Sequence, residues 1–324
     1  MSPTRIRYPR RMPLATIGLI PHPSKDVTRS IGLLREWDAA HPATLIALES
    51  DAGRVGDGIE LVTEAAFLDR AEAVVALGGD GTMLGAMRLV AGHEPAIPVL
   101  GVNYGNLGFL VEVEPAELPE ALDRLAADDF QLEGHHALEV VVRGADGSTR
   151  AESLAFNDVA VARMPGAGVV TADLRVDGRP YGYYRGDAVV VATSAGSTAY
   201  NYAAGGPVMS PSLVAAVISP VAPMTGIDRA LVLSAREPME FELGDGTRGA
   251  AVEIDGRVAA EVSAKDLVQV RLRADAATVI RFDAERHASR GRVKLSLLDL
   301  PLRQDQLLQL VPEAVRAEAA RRRR

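Results

Sequence analysis

The chain has 324 residues, and its hydrophobic fraction of 48% supports packed cores and excludes a disordered or fibrous chain; such a length suits about two domains. With 43 acidic against 35 basic residues the formal charge is −8, which argues against bulk binding to nucleic acid or to an anionic membrane and makes any phosphate site a local one. The absence of cysteine removes disulfides, thiol nucleophiles and thiolate-held zinc or iron–sulfur centres.

The basic N-terminal stretch holds one short apolar run, Leu14–Ile20, which meets Pro21 and Pro23 without a small-residue cleavage pattern. It reads as a strand of a cytoplasmic protein, not as a signal peptide. No apolar stretch approaches the roughly 18 residues that a membrane span needs. Behind the first strand Val27, Ile31, Leu34 and Trp37 recur at helical spacing, with Ser24 expected as N-cap. Ala43–Leu48 and Ala73–Leu77 read as further strands, Thr82–Ala91 as a helix and Ile97–Val102 as a strand. This alternation, which continues to about residue 130, predicts an α/β domain with a parallel, Rossmann-like sheet. In such sheets ligands gather at the carboxyl ends of the strands.

One such end is rich in chemistry. Ala73–Leu77 runs into Gly78, Gly79, Asp80, Gly81 and Thr82. Glycines let the backbone approach a ligand closely, and the helix behind them offers N–H groups to an anion, which makes a phosphate cradle. A carboxylate is ill suited to holding phosphate, so Asp80 points to a base, a hydroxyl orienter or a magnesium contact. The plainer alternative is a tight turn with Asp80 as N-cap. The lysines are Lys25, Lys265 and Lys294, none preceded by glycine, which excludes a Walker loop. The glycine spacing also fails the dinucleotide fingerprint of hydride-transfer enzymes.

From Ala137 to Phe282 short β-type runs are punctuated by Ala145-Asp146-Gly147, Asp177-Gly178, Asp245-Gly246 and Asp255-Gly256. This half predicts a mostly antiparallel β domain. One exception is Gly196–Ala204, which follows the run Ala188–Thr193 and reads as a loop entering a helix. His135 and His136 lack a metalloprotease spacing and read as structural. Gln304–Ala320 is expected to be helical, and the four arginines after it a solvated tail.

The Gly-Gly-Asp-Gly-Thr segment resembles the signature of the NAD kinase family, which the diacylglycerol and sphingosine lipid kinases share and the phosphofructokinases carry in a looser form. Four further segments follow in the order of NAD kinases: Gly101–Leu110, Phe156–Arg163, Arg185-Gly186-Asp187, and Thr193–Asn201 continuing to Ala204–Pro207. The resemblance implies an α/β domain over 13–135, a β-rich NAD-binding domain over 136–284, and a final segment, 285–324, returning to the first. It implies transfer of the γ-phosphoryl group of ATP, or of a phosphoryl group of polyphosphate, to the 2′-hydroxyl of the adenosine ribose of NAD, with Mg2+ or another divalent cation. Asp80 would then orient or deprotonate that hydroxyl, and Gly78, Gly79, Gly81 and Thr82 would form the cradle. Asn157 and Asp158 match the family's pair that contacts ribose and adenosine. Thr198, Ala199 and Tyr200 match its dinucleotide wall, and Arg185 and Asp187 lie in a segment that also lines the site.

The resemblance further implies a homodimer or homotetramer whose subunits help complete each other's sites, with Val214–Val221 weighed as contact against buried core. The chain departs from the pattern at Ala188, at Ala195 and across Pro220–Gly226. If the family's hydroxyl at that position bonds the adenine edge, Ala195 forfeits that contact, worth about 0.5–1.5 kcal/mol. The alternatives are a lipid kinase, for which no basic amphipathic stretch is found, and a nucleotide-binding module without turnover.

Overall fold

In the computed structural model, which describes residues 15–41, 43–105 and 108–283, the chain forms two units. Among the described residues, one comprises those of 15–87, 93–133 and 279–283; the other comprises Arg88–Gly92 and Gly134–Thr278. The expected helix over Gln304–Ala320, the arginine tail and the segment 285–324 lie outside the described residues.

The first half runs β1 (Thr16–Pro21), α1 (Thr28–Ala40), β2 (Thr44–Leu48), α2 (Ala52–Val55), β3 (Glu60–Val62), α3 (Glu64–Arg70), β4 (Ala73–Gly78), α4 (Asp80–Val90), β5 (Val99–Asn103) and α5 (Leu118–Ala126). The strands pair in parallel in the order β3-β2-β1-β4-β5, and Val279 lies parallel beside Val99 at the edge of β5. Ile17, Leu19, Val75 and Leu77 are fully buried, each contributing about 1.5–3 kcal/mol of apolar burial. Val27, Ile31, Leu34 and Trp37 share the buried face predicted from their spacing. The start of that helix differs from expectation: Ser24 does not cap it. The His22 ring accepts the N–H groups of Ser24 and Lys25 at 3.1 and 3.0 Å, and the Asp26 carboxylate takes the N–H of Thr28. The loop is therefore shaped by a histidine, and α1 begins four residues later.

The register places the carboxyl ends of three strands side by side. Pro21 of β1 faces Leu77 of β4, and Gly78 faces Asn103 of β5. The chain leaving each strand is stitched to its neighbour, His22 N–H to Leu77 C=O at 2.8 Å and Tyr104 N–H to Gly78 C=O at 2.9 Å.

The second half runs β6 (Gln131–Arg143), β7 (Thr149–Ala155), β8 (Asp158–Arg163), β9 (Val170–Val176), β10 (Arg179–Gly186), β11 (Ala188–Thr193), α6 (Tyr200–Ala203), β12 (Ala215–Val221), β13 (Thr225–Gly226), β14 (Leu231–Ser234), β15 (Met239–Leu243), β16 (Ala250–Ile254), β17 (Arg257–Val262) and β18 (Leu267–Arg281). One antiparallel sheet follows β14-β12-β11-β8-β16-β17; another follows β13-β10-β9-β15-β18, with β6 on β18 and β7 on β6. Val159, Val161, Val189 and Val191 from the first share one core with Leu174, Phe241 and Val268 from the second. Alternating inward residues of facing sheets produce such a core. Asp177-Gly178 and Asp255-Gly256 turn the β9–β10 and β16–β17 hairpins, with φ of 50° and 71° and of 47° and 75°. Positive φ at both positions is the two-residue turn that Asp-Gly favours. Of Val214–Val221, Ala216–Pro220 is buried between β11 and β14 within one chain, which is the core alternative. His136 accepts the N–H of Asp275 at 3.1 Å, a structural contact.

Candidate functional site

Gly78 closes β4 and Asp80 opens α4, so Gly79, Asp80, Gly81 and Thr82 form the strand-to-helix turn. The first N–H groups of a helix have no intrahelical acceptor and aim at whatever lies before it. The Thr82 hydroxyl oxygen is buried here without a hydrogen-bond partner. The Asp80 carboxylate is held by the loop after β5: Oδ2 accepts Phe109 N–H at 2.9 Å and Oδ1 accepts Leu110 N–H at 3.0 Å. Gly108 makes this approach possible, because a Cβ there would lie 2.2 Å from Asp80 Oδ1. The Gly101–Leu110 segment thus serves to aim the aspartate.

Two further groups in this unit were not singled out from the sequence. Arg281, 4% exposed at its side chain, donates to Leu110 C=O at 2.7 Å and to Glu133 at 2.5 Å, with Glu112 at 3.5 Å. It therefore holds, through its C=O, the same residue whose N–H holds Asp80. The signal was a lone arginine in the apolar run Val279–Phe282. Lys25 places its ammonium on Tyr104 C=O at 2.6 Å, between the loops that leave β1 and β5.

In the second unit the structure brings Asn157 and Asp158 together with the Gly-Ser-Thr-Ala-Tyr segment. Thr193 N–H donates to Asn157 C=O at 2.9 Å, its hydroxyl donates to Phe156 C=O at 2.7 Å, and that same oxygen accepts Gly196 N–H at 2.9 Å. Tyr200 N–H reaches Asp158 Oδ2 at 3.2 Å. Gly196 lies so close to Asn157 that a Cβ would meet its carbonyl oxygen at 2.0 Å. Thr198 closes a single turn on Ala195 C=O, Ala199 precedes α6, and the Tyr200 ring is exposed. Asn201 anchors the segment: its buried amide donates to Ser197 and Pro207 carbonyls and accepts from Ser219.

Asp187 follows β10 and pairs with Arg163 at 2.8 Å, both partly exposed; such surface pairs contribute about 0–1 kcal/mol. Arg185 lies on β10, in the other sheet from Asn157, its side chain exposed beside Met224. Burial pushes the Asp158 carboxyl up to about 6; Tyr200 N–H opposes this, and the charges of Asp255 and Glu253 reinforce it. Burial also raises the Tyr200 hydroxyl, helped by Glu253, Asp158 and Asp187, whose negative charges all reach it. A raised carboxyl favours the protonated fold, so Asp158's contribution to stability is fully present below its unfolded value of 3.8 and is lost as pH rises to about 6.

Asp255 is the residue that sequence reasoning undervalued. Read as half of a turn, its carboxylate accepts the N–H groups of Phe156, Asn157 and Asp158 at 3.1, 2.8 and 3.2 Å and pairs with Arg88.

Among the described residues no helix is long and apolar enough to cross a membrane, and no group of three or more carboxylate or imidazole side chains could hold a metal ion. Models of the ATP-NAD kinase N-terminal domain and of the ATP-NAD kinase C-terminal domain match residues 35–130 and 156–282. A protein named NAD kinase from Gemmatimonas aurantiaca is 34% identical over 250 residues, 77% of this chain and 85% of that one. Another, from Rhodococcus erythropolis, is 33% identical over 297 residues, 87% of this chain and 93% of that one. The crystal structure of yeast NADH kinase complexed with NADH superposes with a TM-score of 0.81 at 20% identity, covering 90% of each chain. That likeness shows the fold: an α/β domain with a parallel sheet followed by a mostly antiparallel β domain.

Proposed function

Because the chain belongs to the NAD kinase family, we propose that it phosphorylates the 2′-hydroxyl of the adenosine ribose of NAD, giving NADP, with ATP or polyphosphate as donor. A lipid kinase is left without support. The observation that carries the reading is the Asp80 carboxylate, fixed by two backbone N–H groups at the mouth of a glycine cradle. Gly78, Gly79 and Gly81 let the donor phosphates approach the backbone at the start of α4, and Thr82 meets them through its buried, unpartnered hydroxyl, its N–H being taken by Gly79 C=O at 3.0 Å. The ribose hydroxyl gives its proton to Asp80 as its oxygen bonds to the γ-phosphorus, and the bond to the bridging oxygen breaks to release ADP. Phosphoryl transfer asks mainly for alignment and charge stabilisation, so this set of groups is sufficient in kind.

Mg2+ or another divalent cation belongs to this reading as a partner of the donor's phosphates, whose charge it would neutralise. Asn157 and Asp158 bind ribose and adenosine, and Thr198, Ala199, Tyr200, Arg185 and Asp187 line the dinucleotide. The same reading places the protein in the cytoplasm, acting on small nucleotides and not on nucleic acid or membranes. NADP formation from NAD, measured with ATP and then with polyphosphate and repeated with NADH, tests the function and selects the donor. No phosphorylated dinucleotide with either donor would refute it.

The pH dependence follows from Asp158, which when ionised accepts from both ribose hydroxyls through two charged oxygens and when protonated is the weaker acceptor. kcat/KM for NAD should rise through about pH 6 and level off, and Asp158→Asn should abolish that inflection; a flat profile in the parent between about pH 5 and 7 contradicts the role. Tyr200→Ala and Asn157→Ala should raise the KM for NAD and leave that for the donor little changed. A rise for the donor alone would mean that the two sites are assigned the wrong way round. We also assign a homodimer or homotetramer to the active form. Light scattering at the chain mass of 34.3 kDa together with full activity would rule that out.

A further inference from the structure

Two hairpins of the second unit turn on Asp-Gly with the same backbone signs, yet their aspartates differ in surroundings. Asp177 is exposed, as a residue chosen only for its tolerance of positive φ should be. The Asp255 side chain is 2% exposed and receives three consecutive backbone N–H groups, those of Phe156, Asn157 and Asp158, within 3.2 Å. Its own N–H donates back to Asp158 C=O at 2.9 Å. Successive N–H groups converging on one point form an anion-binding nest, and here the anion is a side chain of the same unit. Arg88, in the last turn of α4, pairs with that carboxylate and donates through Nε to Leu154 C=O at 2.8 Å, at the end of β7. The bend between β7 and β8 is thus clamped on both sides.

Stability alone is a poor account of this arrangement. A buried ion pair is often no more stable than apolar residues of similar volume, because desolvation offsets the attraction. A turn would have needed only the backbone preference. What the pair does uniquely is fix the backbone of the two residues whose side chains are to meet a ligand.

We propose that Asp255, held by Arg88, is a positioning residue for dinucleotide binding: it sets the conformation of the Asn157–Asp158 segment so that both side chains meet the ribose together. This rests on the assignment of that segment to NAD. Asp255 touches no reacting atom and acts through the peptide groups it binds.

The test uses the full-length protein with Asp255→Asn and Arg88→Met, and reads kcat, the KM for NAD and for ATP, NAD binding by calorimetry, melting temperature and the pH profile of kcat/KM. Asparagine keeps the left-handed backbone but loses the charge and one accepting oxygen. Asp255→Asn should raise the KM and Kd for NAD by about tenfold or more, a size typical of small misplacements of binding groups, while the KM for ATP stays within about twofold. The inflection assigned to Asp158 should move to lower pH, because a neighbouring negative charge is gone. Arg88→Met should raise the KM and Kd for NAD in the same direction but less, without lowering the Asp158 inflection, because the Asp255 charge remains, and the double variant should bind NAD no worse than Asp255→Asn alone, since members of one unit are not additive. If Asp255→Asn does not fold, Arg88→Met, which leaves the three N–H bonds in place, decides by the same split. A lower melting temperature with NAD binding and the pH profile unchanged would overturn the proposal, because a merely structural pair gives that result. A parent protein that does not bind NAD would instead overturn the assignment of the segment on which the proposal stands.

Discussion

Asp80→Asn is expected to lower phosphoryl transfer by about two to four orders of magnitude, the span usual for a positioned base. The carboxylate is the only proton acceptor that the cradle turn Gly78–Thr82 carries as a charged side chain. Its two oxygens accept the N–H groups of Phe109 and Leu110. Asparagine can satisfy one of these and presents an NH2 group to the other, so a fold cost of about 1–3 kcal/mol accompanies the lost charge. In domains of this size each kcal/mol lowers the melting temperature by about 2–4 °C, which leaves the protein folded at room temperature. The loss of rate must therefore greatly exceed the loss of folded protein. Gly108→Ala separates position from charge: it keeps the carboxylate but drives a Cβ to within 2.2 Å of Asp80 Oδ1. Turnover of Asp80→Asn within about threefold of the parent would remove Asp80 from the mechanism.

Gly196→Ala is expected to be the most damaging small substitution in the second unit. The added methyl would lie 2.0 Å from Asn157 O and 2.4 Å from its Cα, both backbone atoms that no rotamer change can move. Overpacking usually costs about 1–3 kcal/mol where side chains can give way, so this contact should fall at or above that range. Relief requires Asn157 to retreat, which breaks Thr193 N–H to Asn157 C=O and shifts the adjoining Asp158 from Tyr200. The expected result is a melting temperature lower by several degrees and a KM for NAD raised at least about tenfold. A variant with both quantities unchanged would mean that the two segments are not locked together.

The parts of the fold that follow from local pattern were legible in the sequence. Val27, Ile31, Leu34 and Trp37 could be read as one helical face, and Asp177-Gly178 and Asp255-Gly256 as hairpin turns, because each depends on residues within a few positions. The start of α1 was misjudged because the His22 ring, not Ser24, collects the N–H groups of that loop. α5 has a legible signal too, since Leu118, Ala121, Leu122 and Leu125 repeat at helical spacing and are buried. In the site, Asp80 and the Asn157–Asp158 pair stand out because glycines or apolar runs frame them. The groups that hold them in place do not. Arg281 reaches Leu110 across 171 residues of sequence, and Asp255 reaches Asn157 across 98. Neither residue carries a local signal of its partner, and only pairing of distant strands brings them together.

The most direct measurement incubates the purified protein with NAD and ATP and reads the product with a dehydrogenase that accepts NADP and rejects NAD, with ADP release followed in parallel. The predicted result is NADP formed in equal amount to ADP by the parent, and about a hundredfold or more slower by Asp80→Asn. ADP release without NADP, or equal NADP from both proteins, would contradict it.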